Sequence, residues 1–269
     1  MNIPSGKAYQ INDGKRSMIT FVTMKWDRQK TGESIPSQDI VSYGRDHVTR
    51  HFNMLKANYT GSFKYVFYTD EMYEDLPDGI DQRPLFPMFK KHFDKGGCFH
   101  RMFLFSKEFF ELHGPFVSMD LDMVITDNIT SLFDTTQPFI YYKMKGGNGH
   151  GWRMNNGMFF INSPALDQVW QLFDTNTEEV INNRKGPGTD QGVTNGVISN
   201  LDEMACWQQG MCGPGIYDLR QDFQEPDRIA LPKGCRIVMC PGPRDPSHKK
   251  IIDRYPWMKV HYENMLDRT

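Results

Sequence analysis

The chain has 269 residues, of which 39% are hydrophobic and 24% are charged, as expected for one large or two small globular α/β domains. A formal net charge of −2 without a dense basic tract argues against nucleic acid or an anionic membrane as the main partner. No apolar run approaches the roughly 20 residues of a membrane-spanning helix. Residues 1–17 are polar and predict a flexible arm rather than a signal peptide, and the five cysteines lack zinc-ligand spacing. We therefore expect a cytoplasmic protein with reduced thiols. The alternative is a bridge between Cys206 and Cys212 in an oxidising setting.

The first half of the chain predicts alternating strands and helices. Strands are predicted at residues 18–24, 63–68 and 116–119, and helices at residues 37–59, with Ser37 as N-cap, and 98–112. The residues between Asp70 and Gly97 predict loops. A β-α-β-α-β order predicts a parallel sheet that is covered by helices.

The second half predicts further strands at residues 139–142, 157–161 and 236–240. Ser163 and Pro164 predict the cap and first position of a helix. Residues 143–153 contain four glycines, which predict a mobile lid rather than a helix or strand. No repeat and no linker interrupts residues 18–269, which are therefore predicted to form a single domain.

An acidic pair, Asp120 and Asp122, follows the predicted buried strand 116–119. Open α/β sheets bind ligands at the carboxyl ends of their strands. In extended backbone, residues i and i+2 face the same side, so both carboxylates can converge on one cation. Hard oxygen ligands suit Mg²⁺ or Mn²⁺, which proteins often share with nucleotide phosphates. The alternative is a solvated acidic turn, but the buried strand directly before the pair favours a metal site.

Other polar groups have both a functional and an ordinary interpretation. Asp70 can accept a hydrogen bond from a base or ribose, or cap a turn. Arg101 can bind phosphate near a helix start, or lie exposed. Asn155 and Asn156 suit sugar hydroxyls, or a turn. Asp190 can orient a sugar, or serve the first turn of a helix after the cap Thr189.

Residues 241–250, after the last strand, form a loop rich in proline and basic residues. Arg244, His248 and Lys249 are candidate phosphate ligands, and Asp245 or His248 is a candidate metal ligand. The alternative is a surface loop that is stiffened by proline.

In this order the segments resemble glycosyltransferases of the GT-A fold, most closely the retaining family-eight-like enzymes and their bacterial and viral relatives. The resemblance covers roughly residues 18–260. The segments that carry it are Phe21-Val-Thr-Met-Lys-Trp26, Thr69-Asp70, Arg101-Met102, Asp120-Leu-Asp122, Asn155-Asn-Gly-Met158, Asp190-Gln191 and the loop after the last strand.

The resemblance implies an α/β fold, a single GT-A (Rossmann-like) domain with a central, mostly parallel mixed sheet flanked by helices. It implies transfer of a hexose from a nucleotide-sugar, commonly a UDP-sugar, to an acceptor hydroxyl with Mn²⁺ or Mg²⁺; the acceptor (glycan, lipid or protein) is left open. Donor-binding residues would be Thr23, Met24, Lys25, Asp70, Arg101, Asp120, Leu121, Asn155, Asn156, Gly242, Arg244 and Lys249. Asp190 and Gln191 would be catalytic, and Asp120 and Asp122 would hold the metal.

One position departs from the family pattern. The family has a histidine just before a glycine in its C-terminal motif, and that histidine completes the metal site. Here the dipeptide is Pro241-Gly242, and proline has no ligating side chain. His248 is the predicted substitute; the alternatives are Asp245, a water molecule, or weaker metal binding.

Two other functions compete with this prediction. A sugar nucleotidyltransferase would need a glycine-rich loop after the first strand, and residues 24–28 contain no glycine. A non-catalytic carbohydrate- or nucleotide-binding module is suggested by the proline at the histidine position.

Overall fold

The central strand β1, Ile19–Lys25, is a run of apolar and β-branched residues, as its sequence predicts. The computed structural model describes residues 2, 18–27, 43–95, 98–144, 153–183, 189–207, 215–224, 228–242 and 244–268. The predicted arm (residues 3–17), the cap Ser37, the glycine-rich residues 145–152 and Cys212 lie outside the described residues.

The described residues form nine strands and seven α-helices. The other strands are β2 (Phe63–Thr69), β3 (Ile80–Pro84), β4 (Phe116–Met119), β5 (Met123–Ile125), β6 (Phe139–Lys143), β7 (Met154–Ile161), β8 (Ile216–Asp218) and β9 (Ile237–Met239). The helices are α1 (Arg45–Asn58), α2 (Lys107–His113), α3 (Asp167–Thr175), α4 (Thr177–Asn183), α5 (Asp190–Val197), α6 (Lys249–Arg254) and α7 (Trp257–His261).

Two sheets organise the chain. The larger has the order β3-β2-β1-β4-β7-β6, and the smaller has the order β5-β9-β8. In the larger sheet β1 is parallel to β2 and to β4, whereas β7 is antiparallel to both of its neighbours. The prediction of a mostly parallel mixed sheet is therefore confirmed.

The core lies on both faces of the larger sheet because side chains alternate along each strand. On β1, Phe21 points into the cluster that includes Phe52 and Leu55 of α1. Its neighbour Val22 points to the opposite cluster, where Phe109 of α2 packs. No helix in the described ranges is both long enough and apolar enough to cross a bilayer.

Several predicted boundaries were wrong. Helix α1 begins at Arg45, after Gly44, rather than at residue 37. The helix predicted at residues 98–112 is a 3₁₀ helix, Phe99–Phe105, followed by α2 after a break at Ser106. The break occurs because the Ser106 hydroxyl caps a new helix, accepting a hydrogen bond from Phe109 N at 3.0 Å.

Other elements were missed or shortened. Strands β3, β5 and β8 were not predicted, and β7 begins three residues before the predicted strand at residue 157. The last predicted strand, 236–240, is reduced to β9. Ser163 does cap the next turn, accepting from Ala165 N at 3.2 Å, but that turn is a short 3₁₀ helix before α3.

Candidate functional site

A cavity of about 170 Å³ opens at the edge of the larger sheet where β1 and β4 end. These strands are parallel neighbours, so their carboxyl ends lie side by side. Residues that were predicted for the site line the cavity: Met24, Lys25, Arg101, Asp120, Leu121, Asp122 and Gly242. The structure thus brings together residues that are distant in the sequence.

The acidic pair lies where the chain passes from one sheet to the other. Asp120 follows β4 and donates its backbone N–H to Gly157 O at 2.9 Å. Leu121 and Asp122 form a turn, and the Asp122 carbonyl accepts from Cys240 N at 2.9 Å. Both carboxylates reach the cavity, but through this turn rather than through the extended backbone that the sequence suggested.

Negative charge accumulates around Asp122. Burial, together with the charges of Asp120 and Asp245, raises the pKa of the Asp122 carboxyl well above its usual range. The nearby cation Arg101 is already paired with Asp120 at 3.0 Å. A divalent cation would supply the missing positive charge, and carboxylate oxygens suit Mg²⁺ or Mn²⁺. The donor set fits such an ion, although no three His, Cys, Asp or Glu side chains of the described residues form a ready ligand group.

Arg101 joins the two acidic sides of the site. Its side chain lies 3.0 Å from Asp120 and 3.6 Å from Asp190, and it donates to the carbonyl of Asn156 at 2.9 Å. Although burial lowers the pKa of this guanidinium, the two carboxylates outweigh burial and raise it above its ordinary value. The ordinary interpretation of an exposed arginine is excluded, because Arg101 is only 7% exposed.

Asp190 lies buried at the start of α5, but it does not act as the cap. Thr189 caps the helix, accepting from Gly192 N at 3.3 Å. The Asp190 carboxylate instead accepts from Asn156 Nδ2 at 3.1 Å, and Thr194 donates to Asn156 Oδ1 at 2.9 Å. Asp190 is therefore held within a polar network that reaches Asp120 through Arg101.

The two asparagines lie within β7 rather than before it. Asn155 Oδ1 accepts from Gly157 N at 2.7 Å, which fixes the backbone beside the acidic turn. A Cβ atom at Gly157 would lie 2.8 Å from Met239 Cε and 3.3 Å from Asp120 Oδ2. The predicted close approach at this glycine is thus to the protein's own acidic turn.

Lys25 and Asp70 form the other end of the site. Lys25 Nζ lies 3.4 Å from Asp70 and 2.7 Å from Glu71. Burial lowers the pKa of Lys25, but its interactions with Glu71, Tyr73 and Asp70 outweigh burial and raise the pKa. Asp70 Oδ2 also accepts from Asp27 N at 3.0 Å. The Thr69 hydroxyl closes the turn, donating to Glu71 O at 2.9 Å and accepting from Glu71 N at 3.1 Å.

Thr23, predicted for the nucleoside side, is buried on β1 with 1% of its surface exposed. Its hydroxyl has no hydrogen-bond partner among the described residues. Gln191, predicted to be catalytic, donates from Nε2 to Met144 Sδ at 3.4 Å. Its position next to Asp190 keeps it beside the polar network.

The C-terminal loop contributes to the site unevenly. Gly242 lines the cavity with a positive φ of 69°, and the half-buried Arg244 lies two residues further on. His248 precedes α6 as its N-cap, where its carbonyl accepts from Ile251 N at 2.8 Å. Lys249 is 87% exposed and pairs with Asp253 at 3.0 Å.

Three residues that line the cavity were not among those predicted: Trp26, Tyr43 and Cys98. Trp26 directly follows β1, and its ring packs edge-on against His100, with centroids 4.5 Å apart. Its position one residue after Lys25 could have indicated from the sequence that Trp26 lines the cavity. No such indication existed in the sequence for Tyr43, because this residue lies inside the helix predicted at residues 37–59. Burial and the charges of Asp122 and Asp245 raise the pKa of Tyr43 above its ordinary value.

The six-stranded, mostly parallel sheet flanked by helices matches the GT-A fold of solved structures. No family model matches the sequence, and no curated protein sequence matches it. Two solved structures of the galactosyltransferase LgtC do match in fold. LgtC in complex with donor and acceptor sugar analogues is 11% identical with a TM-score of 0.52, and an active-site mutant in which glutamate replaces a glutamine is 12% identical with a TM-score of 0.54. Both matches cover 90% of this chain and 96% of the other.

Proposed function

We propose that this chain is a metal-dependent glycosyltransferase that moves a sugar from a nucleotide-diphosphate sugar, a UDP-sugar by preference, to an acceptor hydroxyl. The observation that carries the proposal is the joining of the acidic turn to Asp190 through Arg101 at the edge of a GT-A sheet. The complex of LgtC with donor and acceptor sugar analogues supports sugars as the substrates.

In this proposal Asp120 and Asp122 would hold Mn²⁺ or Mg²⁺. When bound, the ion would neutralise the negative charge of the departing diphosphate. Lys25 and Asp70, which are paired with each other, would contact the nucleoside. Arg244 and Lys249 remain candidate diphosphate ligands.

Asp190 and Gln191 would contact the transferring sugar. Since LgtC has an active-site mutant with a glutamine changed, Gln191 is this chain's candidate for such a residue. Asp190 is 5% exposed and already engaged by Asn156 and Arg101, which disfavours it as a nucleophile. Its negative charge is instead suited to stabilising positive charge at the anomeric carbon.

We therefore propose a retaining front-face reaction. The bond from the anomeric carbon to the diphosphate oxygen breaks, and the acceptor oxygen bonds to that carbon on the same face. The acceptor proton passes to the departing diphosphate oxygen, so the products are a glycoside and a nucleoside diphosphate. The stereochemistry can be measured by NMR, and an inverted anomer would contradict this mechanism.

The test is release of nucleoside diphosphate from a panel of UDP-, GDP- and ADP-sugars with Mn²⁺, Mg²⁺ or EDTA. We expect release from at least one donor with metal only, and a loss of at least about 100-fold in Asp122→Asn, since catalysis here is largely charge stabilisation. Asp78→Asn, at an exposed position in the turn before β3, is the matched control and should keep full activity. No metal-dependent binding or turnover with any donor would contradict the proposal.

A non-catalytic binding module is the second candidate. It is favoured by Pro241 at the position where the family has a metal-ligating histidine, and by the lack of a ready three-residue ligand group in the described parts of the chain. Binding of a nucleotide-sugar without release of diphosphate would support the module. Release of pyrophosphate from a nucleoside triphosphate and a sugar phosphate would indicate a nucleotidyltransferase instead.

A further inference from the structure

The side chain of Asn195 on α5 connects that helix to the beginning of β7. Its Oδ1 accepts from Arg153 N at 2.6 Å and from Met154 N at 2.9 Å. Its Nδ2 donates to Met154 O at 2.9 Å and to Gln191 O at 2.8 Å. A side-chain amide has two acceptor lone pairs and two N–H donors, so these four bonds use its whole capacity.

The contact replaces a missing piece of sheet. On one side β7 pairs with β4, but that ladder ends at Met158. Met154 lies four residues before that point, and both its N–H and its carbonyl bond to the Asn195 amide. Asn195 thus extends the ladder in the place of a strand, and it is only 6% exposed.

The same helix turn and strand carry the proposed catalytic groups. The first turn of α5 holds Asp190 and Gln191, and β7 holds Asn156 two residues after Met154. The only other polar side-chain bonds described between them, those of Asn156 with Asp190 and with Thr194, cross the same gap. The bonds of Asn195 and Asn156 therefore fix the distance between α5 and β7 close to the contact of Asp190 with Asn156.

The contact with Asn195 holds the backbone of Gln191. Its side-chain amide donates to the sulfur of Met144, which is a weak acceptor. Its carbonyl accepts from Asn195 Nδ2 at 2.8 Å. The backbone of Gln191 is thus fixed more firmly than its side chain.

We propose that Asn195 is a positioning residue, which sets the distance between α5 and β7 and thereby places Gln191 and Asp190 for sugar transfer. The inference rests on the proposed function, because it assigns Asn195 a part in that reaction. Asn195 touches backbone groups in these contacts, so it acts through the residues it holds.

The informative variant is Asn195→Asp, which has the same shape. One carboxyl oxygen can still accept from the amides of Arg153 and Met154. The other faces the carbonyls of Met154 and Gln191, which repel it when it is ionised; when it is protonated, its single O–H can donate to one of them. Repulsion inside a buried contact also raises the pKa of the introduced carboxyl. Falling pH should therefore remove the repulsion in this variant and restore one of the two donor bonds of the native contact.

We expect Asn195→Asp to lower kcat by about 10- to 100-fold at pH 8, since small misplacements of catalytic groups have effects of that size. The KM for the donor should change less than about threefold, because Lys25 and the acidic turn are not displaced. The loss relative to the unmodified protein should shrink as the pH falls to about 5.5. Asn182→Asp, which adds the same charge at an exposed position on α4, should match the unmodified protein throughout.

Hydrogen exchange separates failure of this inference from failure of the proposed function. In Asn195→Ala the amides of Arg153 and Met154 should exchange faster, whether or not the protein transfers sugar. If the unmodified protein has no activity but the two amides lose protection in Asn195→Ala, the proposed function fails. The role of Asn195 in holding α5 to β7 then still stands. A kcat loss without recovery at low pH, a change in KM alone, or unchanged exchange would overturn the positioning role.

Discussion

The charge of Asp245 acts on Asp122 of the acidic turn, whereas His248 is the N-cap of α6. Asp245 is 1% exposed, accepts from Ser247 N at 2.7 Å, and lies 3.5 Å from His47 Nε2. Burial raises the pKa of Asp245, but the hydrogen bonds from His47 and Ser247 outweigh burial and lower it, so the carboxylate is ionised. Its charge in turn raises the pKa of Asp122.

We therefore expect Asp245→Asn to weaken Mn²⁺ binding by about tenfold or more, because it removes one negative charge beside the ion. Since no ready three-residue ligand group occurs in the described ranges, Asp245 would act through its charge or through a water ligand. His248→Gln should change the affinity less than about threefold. Titration of free Mn²⁺ by electron paramagnetic resonance gives both affinities, and the reverse ranking would favour His248 as the substitute ligand.

At the scale of elements, the break at Ser106 matters most to the site. It separates the 3₁₀ helix that carries Arg101 from α2, and it gives each segment its own direction. The buried hydroxyl of Ser106 is the N-cap of α2. The short 3₁₀ helix thereby turns Arg101 inward, towards Asp120 and Asp190.

Ser106→Ala should lower the free energy of unfolding by about 1 to 2 kcal/mol, the usual effect of losing an N-cap. Urea denaturation with an unchanged m-value measures it. Ser199→Ala, which removes an exposed hydroxyl, is the matched control and should change stability by less than about 0.5 kcal/mol. Equal effects of the two changes would contradict the capping role.

The sequence predicts buried elements well and polar ones poorly. Strands β1, β2 and β4 are runs of apolar and aromatic residues, and all three were found. Strand β3 has the sequence Ile-Asp-Gln-Arg-Pro and lies at the sheet edge, so it carries no alternating pattern. Strands β5 and β8 have three residues each, which is too short for periodicity to register.

The candidate site was likewise predictable only in part. The position of Asp120 and Asp122 at the sheet edge was predictable because a buried strand leads into them, and their role in metal binding stays a prediction. The partners of Arg101 were not, because its contact with the Asn156 carbonyl spans 55 positions of the chain. The break at Ser106 was also hidden, since the apolar spacing of residues 99–110 fits one continuous helix.

At the scale of the whole molecule, buried neutral histidines make stability depend on pH. His51 is fully buried beneath the sheet, 2.9 Å from the hydroxyl of Tyr65, and burial lowers its pKa from 6.5 to about 3. Burial, and next the charge of Arg101, lowers the pKa of His100 to about 3 as well. The unfolded chain therefore takes up these protons first as the pH falls.

The stability from His51 is complete above about pH 6.5 and is lost as the pH falls from there towards about 3. Each such histidine should add about 1.4 kcal/mol per pH unit to the slope of unfolding free energy in that window. His51→Asn keeps a partner for Tyr65 without titrating. Urea titrations from pH 7 to 4 should show a slope smaller by about one proton, and an unchanged slope would contradict the assignment.

The position of Arg101 also has a consequence for the order in which the molecule folds. Its partner Asp120 follows β4, whereas Asn156 and Asp190 lie on β7 and α5, so the full set of contacts forms only after the second half of the chain has docked. Contacts between residues so far apart form slowly, because a long loop must close before they contribute. A folding intermediate can thus contain the parallel half of the sheet and still have no site. Recovery of the proposed donor turnover during refolding should lag behind recovery of sheet structure, so that turnover would report the last step of folding.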